Sequence, residues 1–459
     1  MTSKLNYALM SFIFASIISI LTYGATLSSS TVVFSCFVLI LGNFFTFFIC
    51  NKKNKILGLI LFNTIFSIYT ILAVNHFLNY SSDLSIFNQD WRDEYKFFII
   101  SENNQYLSVT QNFINSFINN LYPEYNLYVF YISLLASLAH SYFDGNHLLL
   151  QFLGTSIFGV LTSVMVFKIL CLYVEEKKAF YYALAFMLLS VFNFYSYNLI
   201  RDISIAFFYT WGIYLVLSQD EKRNIFNLSL LLIINWLVFE LRLEHGLLFS
   251  LMTLYYCFNF FKRNKVILVI FSLIAIVVIT AIFLTYVETL VSSFDNYAEF
   301  TNEAVQSNQD SIGQYVYNFP PVIRQISIII VSQILPFPSW GLVSSAQNVY
   351  QFIYGLFQVI YTFFWFIIFY SLSKWIIFER KIEIFKKEIL ALTFICLLFL
   401  FANTANMTLR RIIAFYPFIY LLYVLIKERS ISHVQFQRTT LIGLFLYLFL
   451  VVIYLVLKL

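Results

Sequence analysis

The sequence predicts an all-α polytopic membrane protein of about 13 transmembrane helices, with external surface helices and no soluble domain. Three observations predict this fold class. Of the 459 residues, 61% are hydrophobic and only 11% are charged, whereas a soluble domain carries about 25% charged residues. The 55 phenylalanines and 33 tyrosines would leave a soluble fold coated with aromatic side chains. The apolar residues also fall in stretches of about 20, the length that crosses a bilayer as a helix.

Thirteen stretches are apolar and long enough to span, and they begin near residues 7, 31, 56, 148, 179, 199, 225, 244, 265, 350, 389, 410 and 439. Two further stretches, 127–143 and 323–340, are shorter or interrupted. The short basic connectors can all lie on the cytoplasmic side only if neither of these two crosses. This arrangement puts 19 of the 28 Lys and Arg inside and 15 of the 23 Asp and Glu outside. We therefore expect a multi-pass protein of the plasma (inner) membrane, with its N-terminus cytoplasmic and its C-terminus external.

A single polytopic domain, 1–459, is expected, with two larger external segments at 77–147 and 288–349. The first contains an amphipathic pattern at 104–121, which predicts one helix lying along the membrane surface. The stretch 127–143 would form a second surface or re-entrant helix. In the second segment, the prolines at 320, 321, 336 and 338 interrupt any helix at membrane depth.

The cysteines and the net charge point to no cofactor and no nucleic acid. The five cysteines lie far apart in apolar stretches, and none has the spacing of a zinc site or a disulfide framework. No metal site and no cofactor are expected. The net charge of +5 is divided between two faces of a membrane, so it does not indicate a nucleic-acid partner. Membrane lipids are the expected surroundings.

Charged residues from five separate segments fall on the predicted external face. Carboxylates suit general-base catalysis, and arginines bind phosphate through two parallel hydrogen bonds. The catalytic candidates are, in order of preference, Asp93, Asp90 and Glu94. The substrate-binding candidates are Arg201, Asp202, Arg242, Glu244, His245, Arg324, Arg410 and Arg411. Each group also has a structural alternative: an ion pair that caps a helix, a turn whose charges neutralise one another, or an arginine that reaches the lipid headgroups.

The external segments resemble the GT-C superfamily of membrane glycosyltransferases. Its members carry an acidic motif of the type Asp-Glu-x-x-Tyr in a long first external loop, and Asp93-Glu94-Tyr95 after Asp90 is similar to it. The stretch 128–145 resembles the second surface helix of that loop. The pair Arg201-Asp202 and the pattern from Arg411 to Pro417 are similar to those of membrane enzymes that act on sugar polymers. The chain departs from the family in two additional spans before the acidic loop and in the absence of a sizeable soluble C-terminal domain.

The resemblance implies transfer of a sugar from a polyprenyl-phosphate or polyprenyl-diphosphate donor to an external glycan or lipid-linked acceptor. Asp93 would then be the base, with Asp90 second, and the arginines would bind the lipid phosphate. Asp202 and Glu244 would orient those arginines or help to bind the acceptor. O-antigen and capsule repeat-unit polymerases share the size, the composition and the external arginines, and they are the nearest alternative.

A lipid-linked oligosaccharide flippase or another transporter is the alternative from a different class. Such a protein would place ionisable side chains near the middle of its spans. Lys168 is the main charge inside a predicted span.

The charge distribution makes the topology testable with thiol reporters. In a cysteine-free background, single cysteines at 90–100 and 300–310 should react with a membrane-impermeant maleimide added to intact cells. A cysteine near 382 should react only after permeabilisation, because its basic connector is predicted to be cytoplasmic. Labelling of 382 in intact cells would overturn the common external face and the site built on it.

Overall fold

The structure of the protein, a computed structural model, is helical, with no strand among the residues that it describes. These are residues 2–26, 29–79, 92–123, 125–142, 147–219, 225–262, 319–332, 343–344, 346, 349–403 and 409–458. The helices are numbered in chain order. They are α1 (Thr2–Thr26), α2 (Ser29–Ile49), α3 (Lys55–Asn79), α4 (Arg92–Asn104), α5 (Val109–Phe113), α6 (Asn126–Tyr142), α7 (His147–Leu170), α8 (Glu176–Leu189), α9 (Phe192–Tyr195), α10 (Asp202–Leu217), α11 (Ile225–Leu241), α12 (Leu243–Phe261), α13 (Pro321–Ser332), α14 (Val349–Ser373), α15 (Lys387–Asn403), α16 (Leu409–Ile412), α17 (Tyr416–Ser430) and α18 (His433–Lys458).

Six helices in the described ranges are long and apolar enough to cross a membrane. Their apolar parts are Leu5–Thr22, Thr31–Ile49, Lys55–Leu78, Leu148–Leu170, Gln351–Phe378 and His433–Ile453. They coincide with the predicted spans near 7, 31, 56, 148, 350 and 439. Shorter or less apolar helices occupy the predicted spans near 179, 199, 225, 244, 389 and 410, and the span near 265 lies outside the described residues. The count of thirteen therefore stays a prediction.

The chain divides into two compact units. Unit 1 comprises Met1–Tyr214, Pro336–Ile384 and Ile413–Leu459, and unit 2 comprises Leu215–Leu335 and Phe385–Ile412. Unit 1 thus contains α1 to α9 and most of α10, together with α14, α17 and α18. Unit 2 contains α11, α12, α13, α15 and α16.

Unit 1 is built around α3, α7 and α17. Helices α1, α2, α7 and α8 pack against α3, and α6 packs against α7. All residues of α17 from Tyr416 to Ile426 are buried, as is typical of a helix that is hydrophobic on every side. Trp365 of α14 stacks on Tyr416 with ring centroids 4.0 Å apart, and the Tyr361 and Tyr416 hydroxyl oxygens lie 3.3 Å apart. The buried tyrosines thus hydrogen-bond to one another inside the core.

One end of unit 1 joins α8 to α17 through a charged cluster. Lys178 Nζ donates to Glu428 Oε2 at 2.6 Å, and the Tyr182 hydroxyl donates to Glu428 Oε1 at 2.5 Å. Partial burial opposes ionisation of Glu428, but these hydrogen bonds and the charges of Lys178 and Lys427 lower its pKa below the usual value. Two connectors that the sequence assigns to the cytoplasmic side therefore meet at the same end of unit 1.

The helix predicted over 104–121 is interrupted in the structure. α4 ends at Asn104, and α5 begins at Val109 behind a capping box in which Ser108 and Gln111 bond reciprocally to each other's backbone. A π-helical turn, Ile114–Ile118, continues α5. The prediction of a single helix was wrong because the Ser108 side chain satisfies a free amide at a new helix start, which stabilises a break at that point.

The polarity of this segment is reversed relative to a helix on a soluble protein. Asn104 and Asn112 are buried and donate to Ser133 and Ser137 of α6, at 3.1 and 3.2 Å. The predicted apolar stripe is largely exposed, with Ile118 at 67%. Other exposed members are Tyr106, Phe113, Ile114 and Leu121. Ser108, Gln111 and Asn119 are exposed as well, so the reversal is partial. Buried asparagines beside an outward apolar stripe are compatible with a helix that lies against lipid.

The buried asparagines should therefore be required for stability. Asn104→Leu removes the Nδ2 donor of Ser133 and Tyr122, and loss of a buried partner costs about 1–3 kcal/mol. We expect a lower unfolding temperature for the purified protein in detergent. Asn103→Leu is the matched control, because Asn103 is the exposed neighbour on the same helix. Equal unfolding temperatures for the two variants would contradict the reversed packing.

Candidate functional site

A buried, largely non-helical segment separates α8 from α10 in unit 1. α8 ends at Leu189 and α10 begins at Asp202, with the single turn of α9 between them. Every residue from 190 to 200 is buried. The sequence predicted one span from about 179 and the next from about 199, so the correction is that the first helix already ends at Leu189. Non-helical backbone at membrane depth is tolerated only against protein or a water-filled cavity, and broken helices form substrate sites in transporters.

Side chains within the segment bond locally and stabilise the break. Ser190 caps the end of α8 in an extended conformation, and its hydroxyl accepts the Phe192 N–H at 3.3 Å. Asn193 Nδ2 donates to the Leu188 carbonyl at 3.2 Å. Ser and Asn compete with helix hydrogen bonds in this way. Gly159 of α7 leaves room for the segment, since a Cβ atom there would lie 2.7 Å from the Ser196 Cβ.

Glu94 of α4 holds the segment at its C-terminal end. Its Oε1 accepts the Leu199 backbone N–H at 2.7 Å, and the same oxygen lies 3.7 Å from His76 Nε2. Both side chains are 3% exposed. The His76 ring packs against Phe152 and Tyr197, with centroids 4.8 and 5.4 Å apart. Glu94 thus connects α3, α4 and the turn that precedes α10.

Arg201 ends the segment, close to two side chains that sequence analysis did not select. Its guanidinium carbon lies 5.6 Å from the centroid of Tyr125, and Lys96 Nζ lies 4.3 Å from the same centroid. Asp202 opens α10 and is buried. The structure therefore brings the predicted residues Glu94, Arg201 and Asp202 into one region of unit 1.

Two further polar groups lie in the same region. Asn198 Oδ1 is buried and has no hydrogen-bond partner among the described residues, at a position three residues before Arg201. Burial keeps the pKa of Tyr128 well above its usual value, and the nearby carboxylates of Glu94 and Asp202 raise it further. The Tyr128 hydroxyl oxygen lies 3.4 Å from Thr155 Oγ1.

The two preferred catalytic candidates, Asp93 and Asp90, lie close to the start of α4 in the sequence. α4 begins at Arg92, so Asp93 lies in its first turn, beside Glu94 in the sequence. A carboxylate is favoured there by the amide groups at the helix N-terminus. For Asp93 the structure describes the backbone, and Asp90 lies outside the described residues. The assignment of the base to Asp93 or Asp90 stays a prediction.

Unit 2 carries the remaining predicted residues. α11 and α12 are joined by Arg242 alone, which is extended and buried. Its Nε lies 3.6 Å from Glu244 Oε2. This ion pair fits the structural alternative in which the charges of the turn neutralise one another. His245 is 1% exposed, and its ring centroid lies 5.0 Å from that of Phe399 on α15.

The other three predicted arginines lie on helices of unit 2 that pack against α15, as α12 does. Arg324 Nε donates to the Phe319 carbonyl at 3.1 Å, so Arg324 binds the chain just before its own helix. Arg410 and Arg411 lie in α16, and both are half-buried. Helix α15 thus brings three arginine-bearing segments together within unit 2.

The chain matches no protein-family model, no curated protein and no solved structure. The chemistry of the two groups of residues in units 1 and 2 is therefore what bears on function. His76 and Lys96 are additions to the predicted set. The position of His76 in the last turn of α3, at the predicted external end, was a usable signal in the sequence.

Two substitutions of Glu94 distinguish whether the Leu199 amide needs a hydrogen-bond acceptor or a negative charge. Glu94→Ala leaves a buried amide without its acceptor and should cost about 1–3 kcal/mol. Glu94→Gln keeps an oxygen that can accept the Leu199 N–H, so its unfolding temperature should be close to that of the wild type. Glu102→Ala, on the same helix but only half-buried, is the matched control. If Glu94→Ala unfolds like Glu102→Ala, Glu94 does not hold the segment.

Proposed function

We propose that this protein is a membrane glycosyltransferase that uses a polyprenyl-phosphate-linked sugar donor in the assembly of cell-surface polysaccharide or glycoconjugate. Catalysis would take place on the extracytoplasmic face. The observation that supports the proposal best is the direct contact between the acidic helix α4 and the arginine-bearing segment, made by Glu94 and Leu199. A candidate base and a candidate phosphate ligand therefore belong to two elements that are bonded to each other.

The reaction needs a base and a group that stabilises the departing phosphate. The acceptor hydroxyl oxygen attacks the anomeric carbon of the sugar, and the bond between that carbon and the lipid phosphate oxygen breaks. Asp93 takes the hydroxyl proton, with Asp90 as the second choice. The guanidinium of Arg201 binds the lipid phosphate and stabilises the negative charge that grows on it. Glu94 is a positioning residue for the turn that carries Arg201.

The arginines of unit 2 are further phosphate-binding candidates in this proposal. Arg410 and Arg411 are half-buried and follow the end of α15, and a guanidinium is suited to binding phosphate. Arg242 and Arg324 bind within their own unit, to Glu244 and to the Phe319 carbonyl, and their first role is to stabilise the local fold. An O-antigen or capsule repeat-unit polymerase would use the same chemistry with a longer donor.

Transport of a lipid-linked oligosaccharide is the second candidate function. The break between α8 and α10 favours it, because transporters bind substrates at interrupted helices. Lys168 is also buried in α7, with its ammonium 5.0 Å from the centroid of Tyr214. A transporter would need neither Asp90 nor Asp93 as a base.

Removal of the proposed base separates the two functions. Asp93→Asn changes little in shape but removes the proton acceptor, and loss of a general base typically costs 10²–10⁴-fold in rate. Membranes that contain the variant should bind labelled polyprenyl-phosphate-linked sugar yet fail to transfer it to an acceptor. Turnover is measured as donor consumption at equal expression.

Asp90→Asn and the double variant are tested in parallel, because the two acids are near neighbours in the sequence. Glu102→Gln is the matched control, because it removes a carboxylate from α4 outside the proposed site. This variant should keep full turnover. If the double variant also keeps full turnover, the base does not lie in this loop. Transfer of the lipid across vesicles without any sugar transfer would instead support the transporter.

A further inference from the structure

Two cations in the last turn of α17 each lie over an aromatic ring of a neighbouring element. The Lys427 ammonium lies 4.3 Å from the centroid of Phe436, in the first turn of α18. The guanidinium carbon of Arg429 lies 5.5 Å from the centroid of Tyr173, in the turn between α7 and α8. We propose that Lys427 and Arg429 form a binding site for the phosphate headgroup of an anionic phospholipid at the predicted cytoplasmic face. The proposed catalytic residues lie at the opposite predicted face, so this site and its test are independent of the proposed function.

The acid between these two cations, Glu428, is hydrogen-bonded through both of its carboxylate oxygens. Lys178 Nζ donates to Oε2 at 2.6 Å, and the Tyr182 hydroxyl donates to Oε1 at 2.5 Å. Within the described ranges, neither Lys427 nor Arg429 forms an ion pair. Lys427 instead also contacts the ring of Tyr182, 4.8 Å from its centroid. Lys178 therefore balances the charge of Glu428, and a net positive charge remains at the end of α17.

The aromatic contacts restrain the two cations and leave their hydrogen-bond donors for an anion. A cation over an aromatic ring is attracted by the negative charge of the ring face. An ammonium carries three N–H donors and a guanidinium carries five, and phosphate oxygens accept both. Because the rings already hold Lys427 and Arg429 in place, less side-chain entropy is lost when an anion binds.

The two cations differ in their contact with solvent. Lys427 is half-buried, whereas Arg429 is exposed. Burial lowers the pKa of Lys427 below its usual value, the carboxylate of Glu428 opposes that shift, and the positive charge of Lys178 adds to it. An ammonium that has lost part of its water gains more from a bound anion than one on an open surface does. Lys427 is therefore the cation that would gain most from a phosphate.

The other charges on the same helix ends do not cancel this excess. Eight formally charged residues lie at the start of α8, the end of α17 and the start of α18, five basic and three acidic: Glu175, Glu176, Lys177, Lys178, Lys427, Glu428, Arg429 and Arg438. The basic residues therefore outnumber the acidic ones, and such a cluster attracts anionic lipid headgroups.

The position of the two rings favours a lipid over a soluble anion. The apolar part of α7 ends at Leu170, whose carbonyl accepts the Tyr173 N–H at 2.9 Å. The apolar part of α18 begins at His433, so Phe436 lies in its first turn. Aromatic rings at the ends of spans lie at the level of the lipid headgroups. Exposed apolar side chains along α18, such as Phe445, offer a surface for the acyl chains.

Lipid binding to the full-length protein in dodecyl maltoside micelles tests the site. The probes are phosphatidylglycerol and phosphatidylcholine with the same fluorescent acyl chain, and soluble glycerol phosphate is the competitor. Phosphatidylglycerol should bind about tenfold more tightly than phosphatidylcholine, and salt should weaken it. Lys427→Gln and Arg429→Gln should each lower its affinity about fivefold, the effect of one basic residue near an anionic lipid surface. Equal affinity for the two lipids, or binding of glycerol phosphate as tight as that of phosphatidylglycerol, would overturn the proposal.

A matched control separates this site from the general positive charge of the predicted cytoplasmic face. The double variant Lys52→Gln/Lys53→Gln removes two exposed cations from that face and should bind phosphatidylglycerol as the wild type does. Lys427→Arg keeps a cation that can lie over the same rings, and it should also retain wild-type affinity. If Lys427→Gln/Arg429→Gln binds phosphatidylglycerol as tightly as the control double variant, the site is not there.

Glu428→Gln distinguishes lipid binding from a merely structural role of this helix end. The substitution removes the negative charge beside Lys427 and releases Lys178 from its ion pair, so the affinity for phosphatidylglycerol should rise. Loss of the same ion pair should lower the unfolding temperature in phosphatidylcholine. If the affinity instead falls together with the unfolding temperature, as a structural role requires, the proposal is wrong.

Discussion

The hydrogen bond from the Leu199 amide to Glu94 is the interaction on which the described site depends. A chain that leaves a helix inside a membrane protein must find new partners for its backbone amides, because no water is available in hydrocarbon. The segment 190–201 satisfies most of them locally, through turns and through the Ser190 hydroxyl. Leu199 instead bonds to a carboxylate from another element. This hydrogen bond fixes α4 beside the turn that carries Arg201. Lys96 on α4 lies over the Tyr125 ring, which Arg201 also approaches.

The same constraint explains why two asparagines at the end of α4 and in α5 are buried. Asn104 and Asn112 turn inward to serines of α6. Gln151 of α7 continues the pattern, donating to Ser101 of α4 and to the Ile132 carbonyl of α6. Buried hydrogen bonds therefore add to the apolar contacts between these helices, such as the cluster of Leu135, Ala139 and Leu150 on α6 and α7.

Hydropathy alone predicted most helices, because a stretch of about 20 apolar residues has few other stable states. It failed at residue 190, where the apolar pattern continues and only Ser and Asn mark the break. The break after Asn104 was readable, since Ser108 and Gln111 have capping-box spacing. The predicted acids and arginines of unit 1 were chosen from sequence motifs, and Glu94 and Arg201 do lie near each other. Lys96 required tertiary structure, because a lone Lys at a span end is usually only interfacial.

The positive-inside rule alone does not explain why charged residues of unit 1 lie near Tyr125. At the predicted external face, Lys96 and Arg201 would oppose the positive-inside tendency, so a compensating role is expected for them. Glu94 is buried and accepts the Leu199 amide, and its Oε1 lies 3.7 Å from His76 Nε2. Lys96 meets an aromatic face instead, which holds its position and leaves its charge intact. A lysine that keeps its positive charge in this way is suited to an anionic ligand.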